Sequence, residues 1–204
     1  MSAESGGYWS LLLKQLRQRQ GLSQTALAHL LGVDQTSVSR WERGVDVPRL
    51  TLRTRLRELM RSHRQPLHDA AIMARVRYAA WPTSLVRRGA VFLEVSKSTA
   101  AEVGYEAGDL RGSSIYGRFG DLADDVTAHW EKTGIFDGEV AATISVNAIT
   151  DAGGETTFVR TLDTPHITSD GDIWCYCEVK RIPEADYRRL VSEYRGATLI
   201  IPFA

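Results

Sequence analysis

The sequence is poor in cysteine and in long apolar runs, and each shortage excludes a class of protein. Two cysteines among 204 residues are too few for a small disulfide scaffold, and no quartet of zinc ligands is visible. No apolar run approaches the length of a membrane span, and the first residues lack the charged start and apolar stretch of a signal peptide. We therefore expect a cytoplasmic protein.

The chain also lacks the motifs of common enzymes. It has no P-loop, no GxGxxG and no recognisable Ser-His-Asp grouping, and its acidic residues are scattered rather than paired. These absences predict that the protein is not an enzyme. The competing hypothesis, a C-terminal domain that converts a small molecule, would require convergent polar residues in a pocket.

The charge of the chain is zero overall but unevenly distributed. Residues 1–65 carry 11 Lys and Arg against 5 Asp and Glu, whereas residues 66–204 carry 14 against 20. A basic first third fits a polyanionic partner, which the acidic remainder would repel. We therefore expect different functions for the two parts, although acidity alone is also typical of a domain that is simply soluble.

Residues 22–44, LSQTALAHLLGVDQTSVSRWERG, have the spacing of a helix-turn-helix. Counting from Gln24, Ala28 occupies the fifth position, where the two helices cross closely. Gly32 occupies the ninth, where the turn needs a positive φ. Val38 and Trp41 follow one turn apart on the second helix. The pattern directs a polar set outward, towards base edges: Gln35, Thr36, Ser37, Ser39 and Arg40.

This segment resembles the Xre/Cro family of bacterial and phage repressors over about residues 8–64. The resemblance includes an "SxWERG…P" ending, formed by Ser39, Trp41, Glu42, Arg43, Gly44 and Pro48. It implies an N-terminal all-α bundle of four to five helices, with Gln24 and Gln35 at positions that often touch DNA. Predicted helices cover residues 8–20, 24–31, 35–43 and 49–63, the second and third capped by Ser23 and Asp34. A helix-turn-helix kept only for protein contact is the alternative.

Four arginines recur at steps of four on the last of these helices, at positions 49, 53, 57 and 61. Such a stripe can contact phosphates or can simply face solvent. The predicted DNA-binding residues are Gln24, Gln35, Thr36, Ser37, Ser39, Arg40, Arg43, Arg49 and Arg53.

Residues 65–80 form a predicted helical connector. Apolar residues recur there at steps of 4, 3, 4 and 3, which is a short heptad seam. Its members are Leu67, Ala71, Ala74, Tyr78 and Trp81. The seam predicts pairing with a second chain, while an amphipathic helix packed on its own domain is the alternative.

From about residue 85 the pattern favours an α+β domain. Strand candidates lie within 85–95 and at 139–149, 155–164 and 172–181, with small helices, then a longer helix at 122–132, between them. Gly153-Gly154 and Asp170-Gly171 mark hairpin turns. Residues 98–115, STAAEVGYEAGDLRGSSI, resemble a PAS domain through Gly104, Tyr105, Glu106, Asp109, Leu110 and Gly112. Ser96 departs from the family, which often has Asn there. The resemblance covers about residues 78–183 and implies a five-stranded antiparallel sheet with flanking helices.

A PAS sheet curls around a cavity that holds a cofactor, a metabolite or only side chains. The predicted lining is Phe92, Tyr105, Ile115, Tyr116, Phe119, Trp130, Cys175 and Cys177, although core packing would give the same pattern. Flavin photosensors of this class place a cysteine in an "NCRFLQ"-like helix, which is missing here, and His129 lies too close to Gly134 for the haem-binding position. Neither haem nor a flavin adduct is expected, no metal ligands are predicted, and the cofactor stays unknown. Cys175 and Cys177 are either redox thiols or small buried hydrophobes.

The predicted organisation is a DNA-binding domain at 1–64, the connector at 65–80, a PAS-like domain at 81–183, and a C-terminal helix with an apolar tail at 184–204. The apolar tail should dock on its own domain or on a partner chain. We expect a homodimeric, sequence-specific transcription regulator that binds an operator in double-stranded DNA. Its PAS-like domain would sense a small-molecule effector, mediate dimerisation, or both. In the alternative, that domain binds no ligand and serves only for dimerisation or protein recruitment.

Overall fold

The computed structural model describes residues 6–62, 66–151 and 153–203. Its N-terminal part consists of four helices, close to the predicted ones: α1 (Gly6–Arg19), α2 (Gln24–Leu31), α3 (Gln35–Glu42) and α4 (Leu50–Ser62). The predicted caps are confirmed, since Ser23 accepts from the Ala26 N–H and Asp34 from the Ser37 N–H. Gly32 adopts a φ of 69° and turns the chain between α2 and α3.

The rest of the described chain is an antiparallel sheet with helices, which confirms the α+β prediction. Its elements are α5 (Pro66–Arg77), β1 (Thr83–Arg87), β2 (Val91–Val95), α6 (Lys97–Glu102), α7 (Ala107–Leu110), α8 (Asp121–Glu131), a 3-10 turn (Ile135–Asp137), β3 (Ala142–Thr150), β4 (Thr156–Ile167), β5 (Ile173–Arg181), α9 (Glu184–Tyr194) and β6 (Thr198–Ile201). Ser96, the departure from the PAS pattern, caps α6 by accepting from the Thr99 N–H.

The sheet has six strands rather than the five predicted, in the order β2-β1-β5-β4-β3-β6. The additional strand β6 comes from the apolar tail and pairs antiparallel with β3, with Ser145 opposite Thr198 and Ala142 opposite Ile201. The prediction missed this strand because a short apolar tail gives no sign of the edge to which it will pair. By pairing, the tail satisfies the otherwise open hydrogen-bonding edge of β3.

The two faces of the sheet are covered differently. On one face, α6, α8 and the intervening loops enclose the main core, which includes Cys175, Cys177 and Trp130. On the other face, α5 packs through Val76 against Leu85 and Tyr176. The connector helix therefore lies on its own sheet.

An ion-pair cluster fastens α5 to the sheet. The fully buried Glu94 on β2 accepts from Arg77 at the end of α5, with an Nη2–Oε2 distance of 2.5 Å, and also from Arg111. The helix thus carries an electrostatic attachment as well as an apolar one.

The helical part also joins the sheet directly. The Tyr8 hydroxyl donates to the Gly171 carbonyl at 2.9 Å, and a side chain at Gly138 would collide with Tyr8. Asp69 on α5 accepts from the Ser169 N–H at 2.9 Å. A single hydrophobic cluster runs from Trp9 in α1 to Cys177 in β5. Helix α1 and the β4–β5 turn are therefore packed together as one body.

None of the helices within the described ranges is long and apolar enough to cross a membrane.

Candidate DNA-binding surface and internal cavity

Helix α3 presents a polar face outward and an apolar face inward. Val38 and Trp41 are buried against the other helices, whereas Gln35, Thr36 and Arg40 are exposed. Ser37 and Ser39 are half-buried. The structure therefore places the polar residues predicted for DNA contact on or next to one accessible face.

A buried carboxylate organises the edge of this face. Glu42 is 3% exposed and accepts from Arg17 Nε at 2.8 Å and from Gln24 Nε2 at 2.8 Å. Gln24 in turn accepts from Gln35 Nε2 at 2.9 Å. This series of hydrogen bonds, from Arg17 through Glu42 and Gln24 to Gln35, holds in place the two glutamines that were predicted to touch DNA. The roles of Arg17 and Glu42 were missed, because a buried charge pair leaves no periodic signal.

The start of α3 is held by Asp34. Hydrogen bonds from Thr36 and from the backbone and side chain of Ser37 lower the pKa of Asp34 to about 2. The ionised carboxylate at the helix N-terminus is favourable for the helix dipole. It also accepts hydrogen bonds from the Thr36 and Ser37 hydroxyls, so these two donors are already engaged within the helix.

Three of the arginines predicted to bind DNA differ in how far their side chains are engaged in contacts within the protein. Arg40 lies 3.8 Å from Asp46 with half of its side chain exposed, and Arg43 is exposed while its Nε donates to the Ser39 carbonyl. Arg53 donates to the Pro48 carbonyl at 2.7 Å and lies over the Trp9 ring. Arg53 is therefore engaged within the bundle.

The arginine row of α4 is divided in the same way. Arg49 is exposed, whereas Arg57 lies 5.1 Å from the centre of the Trp9 ring on the side of α4 that faces the sheet. The side chain of Arg61 lies outside what the structure describes. Among the members of the row whose side chains are described, Arg49 is therefore the most exposed.

The connector row has an open side. Ala71, Ala74, Tyr78 and Trp81 are exposed, Tyr78 by 80% and Trp81 by 52%, while the opposite side of α5 packs on the sheet. The helix ends at Arg77, so Tyr78 and Trp81 lie beyond it rather than within a continuous helical seam. The side chain of Leu67, also assigned to the row, is outside the described part.

A cavity of about 120 Å³ lies between the sheet and α8. Five of the predicted residues line it: Phe92, Ile115, Phe119, Trp130 and Cys177. The other three predicted residues do not line the cavity. Tyr105 packs on Phe119 beside it, and Cys175 is buried next to it. Tyr116 donates to Glu131 near the surface. His129 is exposed on α8, while its neighbour Trp130 faces inward.

The sheet contributes a polar row to this mostly apolar cavity. Strand pairing aligns Ser84, Cys177, Asp163 and Thr143 across β1, β5, β4 and β3. Thr143 receives a hydrogen bond from Trp130 Nε1 at 3.1 Å and donates to Asp163 at 3.3 Å. Burial raises the pKa of Asp163 to about 6 against the opposing effect of its hydrogen bonds, and burial also raises the pKa of Cys175. Sequence periodicity missed Thr143 and Asp163, because cross-strand register brings them together.

The Asn147 side chain adds an unpartnered acceptor. Its Oδ1 is buried and, within the described residues, receives no hydrogen bond, and the residue lines the cavity beside Ser145. A buried oxygen without a donor is costly. The cavity therefore offers a hydrogen-bonding position to an occupant.

One family model matches part of the chain. Residues 13–59 match the family model described as helix-turn-helix. The chain matches no curated protein.

Three solved structures illustrate the similarity of the C-terminal part. The first is the PAS domain of an HTR-like protein from Haloarcula marismortui (16% identity, TM-score 0.44, 58% of this chain and 100% of that chain). The second is the PAS domain of BvgS from Bordetella pertussis (16% identity, TM-score 0.45, 63% and 96%). The third is the LOV protein from Rhodobacter sphaeroides (12% identity, TM-score 0.49, 64% and 76%).

The helix-turn-helix match indicates a DNA-binding regulator, a class that is typically not enzymatic. The sheet with its short helices, longer helix and three-stranded meander is consistent with the PAS fold expected from the sequence.

Proposed function

We propose that this protein is a sequence-specific DNA-binding transcription regulator that acts as a homodimer. The observation that carries the proposal is the accessible polar face of α3, whose Gln35 is fixed through Gln24 to the buried Glu42. Side chains held in one orientation lose little freedom when they bind base edges. The proposal retains the predicted division of the chain at residues 64, 80 and 183.

Base reading is assigned to Gln35 and Arg40, and phosphate contact to Arg43 and Arg49. The first two are exposed on α3, and their side chains match the amide and guanidinium groups that read adenine and guanine. Thr36, Ser37 and Ser39 would add contacts at the periphery. Arg53 has a structural role in this scheme, because it already binds Pro48 and Trp9.

Dimerisation is assigned to the exposed row of Ala71, Ala74, Tyr78 and Trp81. A single recognition helix reads too few base pairs for useful specificity, so a second copy is required. The row lies on the side of the connector that the sheet leaves uncovered, and its two aromatic residues are the largest exposed apolar groups there.

The cavity between the sheet and α8 is assigned to a small effector. At about 120 Å³ it is well below the roughly 300–1,000 Å³ of sites for drug-sized ligands, so an occupant has few non-hydrogen atoms. The small volume also favours the second candidate, in which the domain binds no ligand and serves only for dimerisation or recruitment. The unpartnered Asn147 oxygen favours the first.

The DNA assignment is tested on the full chain with duplexes enriched from a randomised library, compared with unselected duplexes. Gln35→Ala and Arg40→Ala should each weaken binding to enriched DNA by roughly 5- to 150-fold, the effect of about 1–3 kcal/mol per base contact, with little effect on unselected DNA. Arg49→Ala should weaken binding to both and reduce the salt dependence. Arg188→Ala removes the same charge from α9 and serves as the control.

Equal losses on enriched and unselected DNA for Gln35→Ala, Arg40→Ala and Arg49→Ala would exclude the base-reading assignment. Failure of the library to yield any enriched sequence would exclude sequence-specific binding altogether.

A further inference from the structure

Three side chains with metal-ligating atoms meet on the inner face of the sheet. The two sulfurs of Cys175 and Cys177 and a carboxylate oxygen of Asp163 all lie within 4.8 Å of one another, and all three residues are buried. Cys175 and Cys177 are two apart on β5, so their side chains share one face. Asp163 lies directly opposite Cys177 on β4.

The buried carboxylate has no cationic partner in the described part of the chain. Asp163 is 2% exposed, and its Oδ2 accepts from Thr161 at 2.9 Å and from Thr143 at 3.3 Å. Hydroxyl groups stabilise a carboxylate but do not neutralise it. A buried charge without a counter-ion is costly, and a bound cation would supply the carboxylate with a counter-ion.

The two thiols are placed unfavourably for a disulfide. Residues two apart on one strand are separated by about 6.6 Å along it, whereas the Cβ atoms of a disulfide lie about 3.5–4.5 Å apart. Both cysteines are free. Two sulfurs bound to one zinc ion are about 3.8 Å apart, from Zn–S bonds near 2.3 Å and tetrahedral angles. The two sulfurs lie within 4.8 Å of one another, so they are at most about 1 Å farther apart than that.

We propose that Asp163, Cys175 and Cys177 bind one thiophilic divalent cation of the zinc class, with a fourth coordination position open to the cavity. Asp163 and Cys177 both line the cavity, so the fourth ligand is a water molecule or a small donor that enters there. Three protein ligands with one open position is an arrangement that zinc adopts in proteins.

The charge balance of the site is favourable. Each thiol loses its proton to solvent as its sulfur bonds to the metal, so two thiolates and one carboxylate contribute three negative charges. The divalent ion leaves a net charge of minus one, the same as the metal-free site with ionised Asp163. Binding therefore adds no net buried charge, and no oxidant or reductant takes part.

With an ion bound, the cavity would accept small molecules that can act as metal ligands.

Strand β5 begins at Ile173, two residues after Gly171, whose carbonyl accepts from Tyr8. A change at Cys175 is therefore close in sequence to the contact with α1. Regulation of DNA binding by the ion rests on the proposed function, whereas binding of the ion does not.

The test uses the full-length, reduced and chelator-treated protein titrated with Cd²⁺, whose bonds to thiolate absorb in the ultraviolet, and with Zn²⁺ in competition with a chromophoric chelator. One equivalent per chain should bind. Cys177→Ser and Cys175→Ser should each reduce the thiolate absorption and weaken binding at least tenfold, while Asp163→Asn should weaken binding with the absorption retained. Ser145→Ala, which lines the same cavity, should leave both unchanged.

A second measurement avoids dependence on the stability of the variants. Excess Zn²⁺ should slow the alkylation of both cysteines in the folded, unmodified protein by a small thiol reagent, as read by mass spectrometry over time. Absence of a one-equivalent step, or equal alkylation with and without Zn²⁺, overturns the proposal. Since neither readout involves DNA, a failure of the DNA-binding proposal would be seen separately, in the library experiment.

Discussion

Glu42 shows how one buried residue can organise a surface. Its carboxylate holds Arg17 and Gln24, and through Gln24 it positions Gln35 on the accessible side of α3. Glu42 itself is buried and does not lie on the accessible face of α3. Its effect on recognition is therefore expected to be indirect, through the orientation of the two glutamines.

Replacing Glu42 with Gln removes the charge that Arg17 and Gln24 share. We expect a loss of about 1–3 kcal/mol in the free energy of unfolding, as for hydrogen bonds to charged groups, together with weaker discrimination between enriched and unselected DNA. Urea unfolding measures the first effect and a binding assay the second. Glu58→Gln, at an exposed position of α4, is the control. Stability and discrimination both equal to those of the control would show that the network does not position Gln35.

At the scale of elements, helix α5 is attached to the sheet by two kinds of interaction. Val76 packs against Leu85 and Tyr176, and Arg77 pairs with the fully buried Glu94. Burial raises the pKa of Glu94, but hydrogen bonds from Arg77 and Arg111 outweigh it, and the pKa lies below its ordinary value of 4.5. Glu94 therefore stays ionised at neutral pH.

The stability contributed by Glu94 should depend on pH. Because its pKa in the folded state is below that in the unfolded state, the contribution is complete above about pH 4.5 and is lost as the pH falls through the lower folded value. Glu94→Gln should therefore lower the Tm by roughly 2–4 °C at pH 7 and by less at pH 3. Thermal unfolding followed by circular dichroism gives both values. A difference that is the same at the two pH values would contradict this role.

The strand β6 protects an edge of the sheet. Its Ile201 and the following Phe203 are half-buried, whereas Leu199 and Ile200 are exposed. Shortening the chain after Ala197 should cost about 2–4 kcal/mol, from two partly buried apolar side chains, and should promote association through the open edge of β3. Thermal unfolding and size-exclusion chromatography measure these effects. Ile200→Thr, which keeps the strand, should have little effect, and an equally small effect of the truncation would assign β6 no protective role.

At the scale of the whole molecule, the four N-terminal helices and the sheet share one continuous core. Tyr8 bonds to Gly171 in the β4–β5 turn, and Asp69 in α5 holds Ser169 in the same turn. One short turn thus contacts both the first helix and the connector. The turn that precedes β5 therefore joins this strand to both helices.

The dimer interface proposed above is tested by Tyr78→Asp. Tyr78 is 80% exposed, so the change should not affect the fold of one chain, while a charge within an apolar interface should dissociate the pair. Light scattering should give the mass of one chain for this variant and of two for the unmodified protein. Leu122→Asp, on the exposed side of α8, should leave the dimer intact. A dimeric Tyr78→Asp protein would place the interface elsewhere.

The sequence by itself determined the features that depend on neighbours along the chain. Ser23 and Asp34 at the caps and Gly32 in the turn act within a few residues, so spacing was enough to predict α2 and α3. The same is true of Gly154 and Gly171, whose positive φ values of 84° and 83° form the predicted hairpin turns.

Only the tertiary structure decided the features that depend on strand register and packing. Asp163 is separated from Cys175 by 12 positions, yet pairing of β4 with β5 brings their ligating atoms within 4.8 Å. The tail at 198–201 is a sixth strand because the edge of β3 is there to pair with it. Arg53 faces the bundle because its guanidinium group packs over the Trp9 ring. A local sequence pattern predicts which face of a helix or strand a residue occupies. Only the folded chain determines which residues lie opposite that face.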